Sequence, residues 1–159
     1  MTGRRQVVGL AISILICFAA AGIGSLLTRP AIDVWYATLR KPSWTPPNWI
    51  FGPVWSALYL VMAVAAWLVW RKAGLSGAKL ALALFGVQLL FNVGWSAIFF
   101  GLRMPGPAFA EIVILWLLIL ATTAAFWPVW RVAGWLMVPY LLWVMFAAAL
   151  NWAIWRLNA

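Results

Sequence analysis

Residues 80–102 read LALALFGVQLLFNVGWSAIFFGL, bounded by Lys79 and Arg103 with no charge between them. At about 1.5 Å of rise per residue, a helix of this length crosses a hydrocarbon core about 30 Å thick. Three polar side chains, Gln88, Asn92 and Ser96, recur along it at every fourth residue. That interval sets them on one helix face, with Trp95 beside them. A polar stripe is costly against lipid, so this face is expected to turn inward, toward other helices.

Four further stretches have the same character, at about residues 7–27, 50–70, 107–127 and 132–155. Across the chain 67% of residues are hydrophobic and only 8% are charged. A soluble domain carries about 25% charged residues, so this chain has no means of coating itself for water. Helices are expected because the backbone must satisfy its own hydrogen bonds in lipid. The short alternating segments of a transmembrane barrel are absent. The first stretch begins with Arg4 and Arg5 like a signal peptide, but its apolar run is too long for one and is expected to stay as a helix. The expected fold is an all-α membrane protein: one domain over 1–159, a bundle of five transmembrane helices with an ordered first loop as lid.

The links set the packing. Residues 71–79, 103–106 and 128–131 are short, which predicts antiparallel, adjacent neighbours. The segment 28–49 is longer and holds Pro30, Pro42, Pro46 and Pro47 together with Trp35, Tyr36, Trp44 and Trp49. A flexible linker would be polar, whereas proline stiffens this one and its rings favour burial. It is expected to pack over one end of the bundle, with Asp33 capping a helical turn that contains Trp35 and Tyr36.

The net charge of +9 is no nucleic-acid footprint, because the eleven Lys and Arg are scattered at the edges of the apolar runs. There they reach for lipid headgroups. With five spans, Arg4, Arg5, Arg71, Lys72, Lys79 and Arg131 fall on one side, and Arg29, Arg40, Lys41, Arg103 and Arg156 on the other. Six against five sets no positive-inside bias. The chain has no histidine and a single cysteine, Cys17, which removes histidine-based catalysis and any intrachain disulfide. No paired carboxylate, nucleophile–base pair, phosphate loop or metal-ligand spacing is present. Neither a metal nor a required cofactor is expected. Glu111 reads as an acid placed at the positive end of the fourth helix.

Fourteen tryptophans stand out. Trp49, Trp70, Trp127, Trp130 and Trp155 fall at span ends and read as interfacial anchors. Trp55, Trp67, Trp95, Trp116 and Trp143 lie within spans, where a buried indole N–H needs an acceptor or a cavity. Trp55 and Tyr59 share one face, as do Trp143, Ala147 and Asn151. Flat walls with a few amides suit a large planar apolar ligand. The same residues also suit plain helix–helix contact, since Asn, Gln and small residues hold spans together.

The run from Trp35 through Lys41-Pro-Ser-Trp-Thr-Pro-Pro47, followed by Trp49, Phe51 and Pro53-Val-Trp-Ser-Ala-Leu-Tyr59, resembles the first loop and second helix of the TspO/MBR family of tryptophan-rich sensory and translocator proteins. Phe91-Asn92 with Trp95, Val138-Pro139-Tyr140 with Trp143, and the tail Leu150–Asn158 are similar to its later motifs. The resemblance covers the chain from about Gly22 onward. It implies a five-helix protein, frequently a homodimer, in a bacterial cell envelope rather than a mitochondrial outer membrane. It also implies a pocket beneath the first loop for porphyrins such as protoporphyrin IX and haem, and for synthetic isoquinoline or benzodiazepine ligands. The pocket residues carried over are Tyr36, Trp55, Tyr59, Asn92, Trp95, Trp143 and Ala147, with ligand carboxylates expected to meet Arg40 or Lys41. Trp55 and Trp143 match the pair implicated in light-driven porphyrin degradation within the family. A sensor or receptor, a photo-oxidising enzyme and a porphyrin carrier are the readings this leaves. The animal members' sterol motif is broken, because Trp152 stands where that motif has tyrosine, which argues against sterol binding.

Overall fold

The computed structural model describes residues 3–159. Five helices follow one another: α1 Gly3–Ile32, α2 Asn48–Gly77, α3 Lys79–Ser96, α4 Pro105–Val129 and α5 Arg131–Asn158. A short 3-10 turn, Tyr36–Thr38, interrupts the first loop, and a π-helical turn, Ala97–Gly101, extends α3. All five helices are long and apolar enough to cross a membrane. The chain is a multi-pass membrane protein.

The helices outrun the apolar stretches that announce them. α1 continues through Pro30, and α2 runs on past Trp70 to a break at Gly74, with a last short turn to Gly77. The second link turns at Gly74, whose φ of 68° lies in the left-handed region that glycine enters without steric cost. α4 starts at Pro105, where a fixed φ suits a first helical position, and only Trp130, in extended backbone, separates it from α5. The expected cap at Asp33 is not formed. The 3-10 turn starts from Trp35 without a side-chain cap, because the Trp35 amide still bonds back to Ala31 of α1 at 3.0 Å. Asp33 belongs to the end of one helix, not the start of another.

The contacts arrange the helices in a ring, in the order α1, α2, α5, α4, α3 and back to α1. The link between α2 and α3 therefore does not join close neighbours, contrary to expectation: the two helices meet only sparsely, with α1 packed between them. The links on either side of α4 behave as predicted. Leu26 and Leu90, at 75% and 73% exposure, point out of the bundle, while Met62, Ile119, Met137 and Val144 are fully buried. Apolar residues occupy both faces, so outward leucines mark the lipid side.

Three of the end tryptophans do more than anchor. A β-carbon on Gly9 would lie 2.2 Å from the Trp70 ring, one on Gly134 2.5 Å from Trp127, and one on Gly106 2.9 Å from Trp155. Each ring is seated on a bare glycine backbone. Glu111 also departs from its expected role. It sits in the second turn of α4, beyond the reach of the helix terminus, with both carboxylate oxygens buried, Oε1 beside Gly94, and no hydrogen-bond partner among the described residues.

Candidate functional site

The polar stripe on α3 turns inward as its spacing requires: Gln88, Asn92 and Ser96 are all buried. Much of it is spent on helix contact. Tyr59 of α2 donates its hydroxyl to Asn92 Oδ1. Asn92 Nδ2 donates to the Tyr140 hydroxyl at 2.8 Å, and Tyr140 donates to Gln88 Oε1 at 2.8 Å. One turn on, Trp95 Nε1 donates to Asn151 Oδ1 at 2.9 Å, and Asn151 Nδ2 donates to the Pro105 carbonyl at 2.8 Å. These bonds tie α2, α3, α4 and α5 together, in an interior where an unmet polar group is expensive.

Above this network, toward the first loop, the bundle is hollow. The cavity measures about 460 Å³. Tyr59 and Asn92 lie at its inner end, and Trp55, Trp95, Phe99 and Phe100 supply aromatic wall. The π-turn brings in two of those rings. Its widened geometry, closed by the Leu102 amide to the Ala97 carbonyl at 2.8 Å, carries Phe99 and Phe100 to the lining. Such turns recur at functional sites. Trp95 stacks on Phe99 with centroids 5.2 Å apart, and Trp35 meets Phe99 edge-on at 5.6 Å.

Of the residues carried over from the family motifs, Tyr36, Trp55, Tyr59, Asn92, Trp95 and Ala147 line this cavity. Trp143 does not. It packs against Phe51, which does line the cavity, with ring centroids 5.9 Å apart, and its buried Nε1 has no partner among the described residues. Trp143 still shares one broad face of α5 with Ala147 and Leu150, and the ring of Phe51 packs against it where the lining runs.

Sequence reading missed the wall that α1 provides. Ala21, Gly24, Ser25, Thr28 and Arg29 all line the cavity. Their small-residue spacing was visible, but it looked the same as ordinary packing. Facing them on α2 are Asn48, Trp49, Gly52 and Ser56, all exposed, so the mouth opens sideways between α1 and α2. Trp49, 73% exposed, stands at this rim.

The first loop is ordered and fastened. Asn158, near the end of α5, accepts the Arg40 amide on Oδ1 and donates from Nδ2 to the Arg40 carbonyl, each at 2.9 Å. Trp44 leans on Phe146 at 5.8 Å. Tyr36 is the part of the loop that reaches the cavity, and burial pushes its phenol above the usual range. Lys41 lies over the Tyr36 ring at 4.7 Å and donates to the Leu39 carbonyl at 3.1 Å. Neither Lys41 nor Arg40 lines the cavity, contrary to expectation; the cation that does is Arg29.

The sequence matches the TspO/MBR family over residues 13–156. The chain belongs to that family. It is 42% identical to the tryptophan-rich protein TspO of Chlorobaculum tepidum, across 98% of this chain and 99% of the relative. It is 41% identical to protein CrtK of Rhodobacter capsulatus, across 93% and 91%. It is 42% identical to the human translocator protein, across 78% and 75%. This TspO/MBR protein uses tryptophans both as cavity wall, at Trp55 and Trp95, and in glycine-seated packing, at Trp70, Trp127 and Trp155.

Proposed function

We propose that this chain is a membrane receptor that binds a porphyrin in the cavity beneath its first loop. The observation that carries the reading is the aromatic-walled hollow of about 460 Å³ open between α1 and α2. Small-molecule sites span about 300–1,000 Å³ and combine apolar walls with a few polar groups. Flat rings from α2 and α3 suit a planar macrocycle, and a sideways mouth suits a ligand dissolved in lipid. The names of its relatives, a tryptophan-rich sensory protein among them, support a sensing role.

Photo-oxidative degradation is the weaker reading. It would use Trp55 and Trp143 together, and Trp143 is one ring removed from the cavity behind Phe51. A carrier is weaker still, because the sequence has no internal repeat of the kind alternating-access transporters use.

Titration of the purified protein with protoporphyrin IX, read by tryptophan quenching, tests the receptor reading. Saturable quenching is expected, and Ala147→Phe, which fills the cavity from α5, is expected to abolish it. Non-saturable quenching, or quenching indifferent to Ala147→Phe in a folded variant, overturns the reading.

A further inference from the structure

Among the residues that line the cavity, Arg29 is the single charged one. It lies in the last turn of α1, where a cation is favoured by the carbonyl end of the helix. It is exposed at the mouth, and no ion pair or side-chain hydrogen bond engages it among the described residues. Asp33, four residues on, forms no ion pair with it. The other cations at this end of the bundle, Arg40, Lys41, Arg103 and Arg156, do not line the cavity.

The interior amides are already committed. Asn92 uses its oxygen on Tyr59 and its nitrogen on Tyr140. Asn151 uses its oxygen on Trp95 and its nitrogen on Pro105. Thr28 donates its hydroxyl back to Gly24 at 2.8 Å. Inside, a ligand's ionised group meets only neutral donors, such as the hydroxyls of Ser25, Ser56 and Ser96, whereas the mouth offers a guanidinium. A carboxylate is also costly to bring into the apolar interior, while guanidinium binds carboxylate through paired N–H donors.

We infer that Arg29 is the specificity residue of this cavity, taking the carboxylate of a planar ligand whose ring system lies inward against Trp55, Phe99 and Phe100. The inference rests on the receptor reading above and adds to it an orientation and a chemical preference: free acids over their esters.

The test compares protoporphyrin IX with its dimethyl ester by tryptophan quenching, in bilayer discs of zwitterionic lipid. The unmodified protein is expected to bind the acid about tenfold more tightly. Arg29→Gln is expected to bring the two affinities within about twofold by weakening the acid alone. Arg29→Lys retains part of the preference, and Arg103→Gln, a cation outside the cavity, retains all of it. An acid preference that survives Arg29→Gln, or none in the unmodified protein, overturns the inference while leaving the cavity reading standing. If neither compound quenches saturably, the cavity reading fails and the role of Arg29 with it.

Discussion

Asn158 clasps Arg40 by its backbone on both sides, accepting the amide and donating to the carbonyl at 2.9 Å each, across 118 positions of sequence. The bond pair joins the tail of α5 to the middle of the first loop, next to the segment that delivers Tyr36 to the cavity. A loop held this way has one defined position relative to the helix ends.

Asn158→Ala removes both bonds, along with the Nδ2 bond to the Ile154 carbonyl of α5. The two loop bonds are exposed and contribute about 0.5–1.5 kcal/mol each at most. Global stability is expected to change by about 1 kcal/mol, whereas the loop loosens locally. Faster proteolysis within residues 33–47 is expected, together with faster ligand association and dissociation in stopped-flow quenching. Unchanged exchange kinetics and protease resistance would show that the clasp does not govern the loop.

Trp55 and Trp143 should separate under mutation. Trp55→Phe alters the cavity wall directly and is expected to weaken porphyrin binding about tenfold. Trp143→Phe leaves the lining intact and deletes a buried N–H that has no partner among the described residues. Leaving such a donor unmet costs about 1–3 kcal/mol, which offsets the lost ring volume. Near-unchanged affinity and a melting temperature close to that of the parent are expected for Trp143→Phe.

Tyr140 is fully buried and bridges Asn92 to Gln88. Tyr140→Phe strands an amide donor on one side and an amide oxygen on the other. The expected loss is about 1–3 kcal/mol, read as a lower midpoint in detergent unfolding. The same change should leave the acid-over-ester preference intact, because Arg29 lies on a different helix at the cavity mouth.

Gly134 meets the Trp127 ring where α4 turns into α5, and a β-carbon there would stand 2.5 Å from ring carbon and 3.3 Å from the Trp127 Cα. The ring cannot swing clear without the backbone moving. Gly134→Ala is expected to destabilise by about 1–3 kcal/mol, whereas Gly22→Ala, inside α1 where nothing lies within 4 Å, is expected to leave stability unchanged or raise it. Paired thermal melts measure the difference.

The sequence alone determined that this chain lives in lipid, that it crosses five times and which family it joins. Those conclusions rest on local quantities: run length, charge spacing and a dense motif between Trp35 and Tyr59. It also oriented the α3 stripe, because a polar face has no stable place against acyl chains. The tertiary structure decided what spacing cannot carry. Ring order in the bundle put α1, not α3, beside α2, and so made α1 a cavity wall with Arg29 at its mouth. A tertiary contact with Phe51 of α2 took Trp143 off the lining while Ala147, on the same face of α5, stayed on it. Whether an inward amide faces a ligand or a neighbouring helix depends on partners far along the chain. Asn92 and Asn151 found theirs in Tyr59, Tyr140, Trp95 and Pro105, which no periodicity within a single span could name.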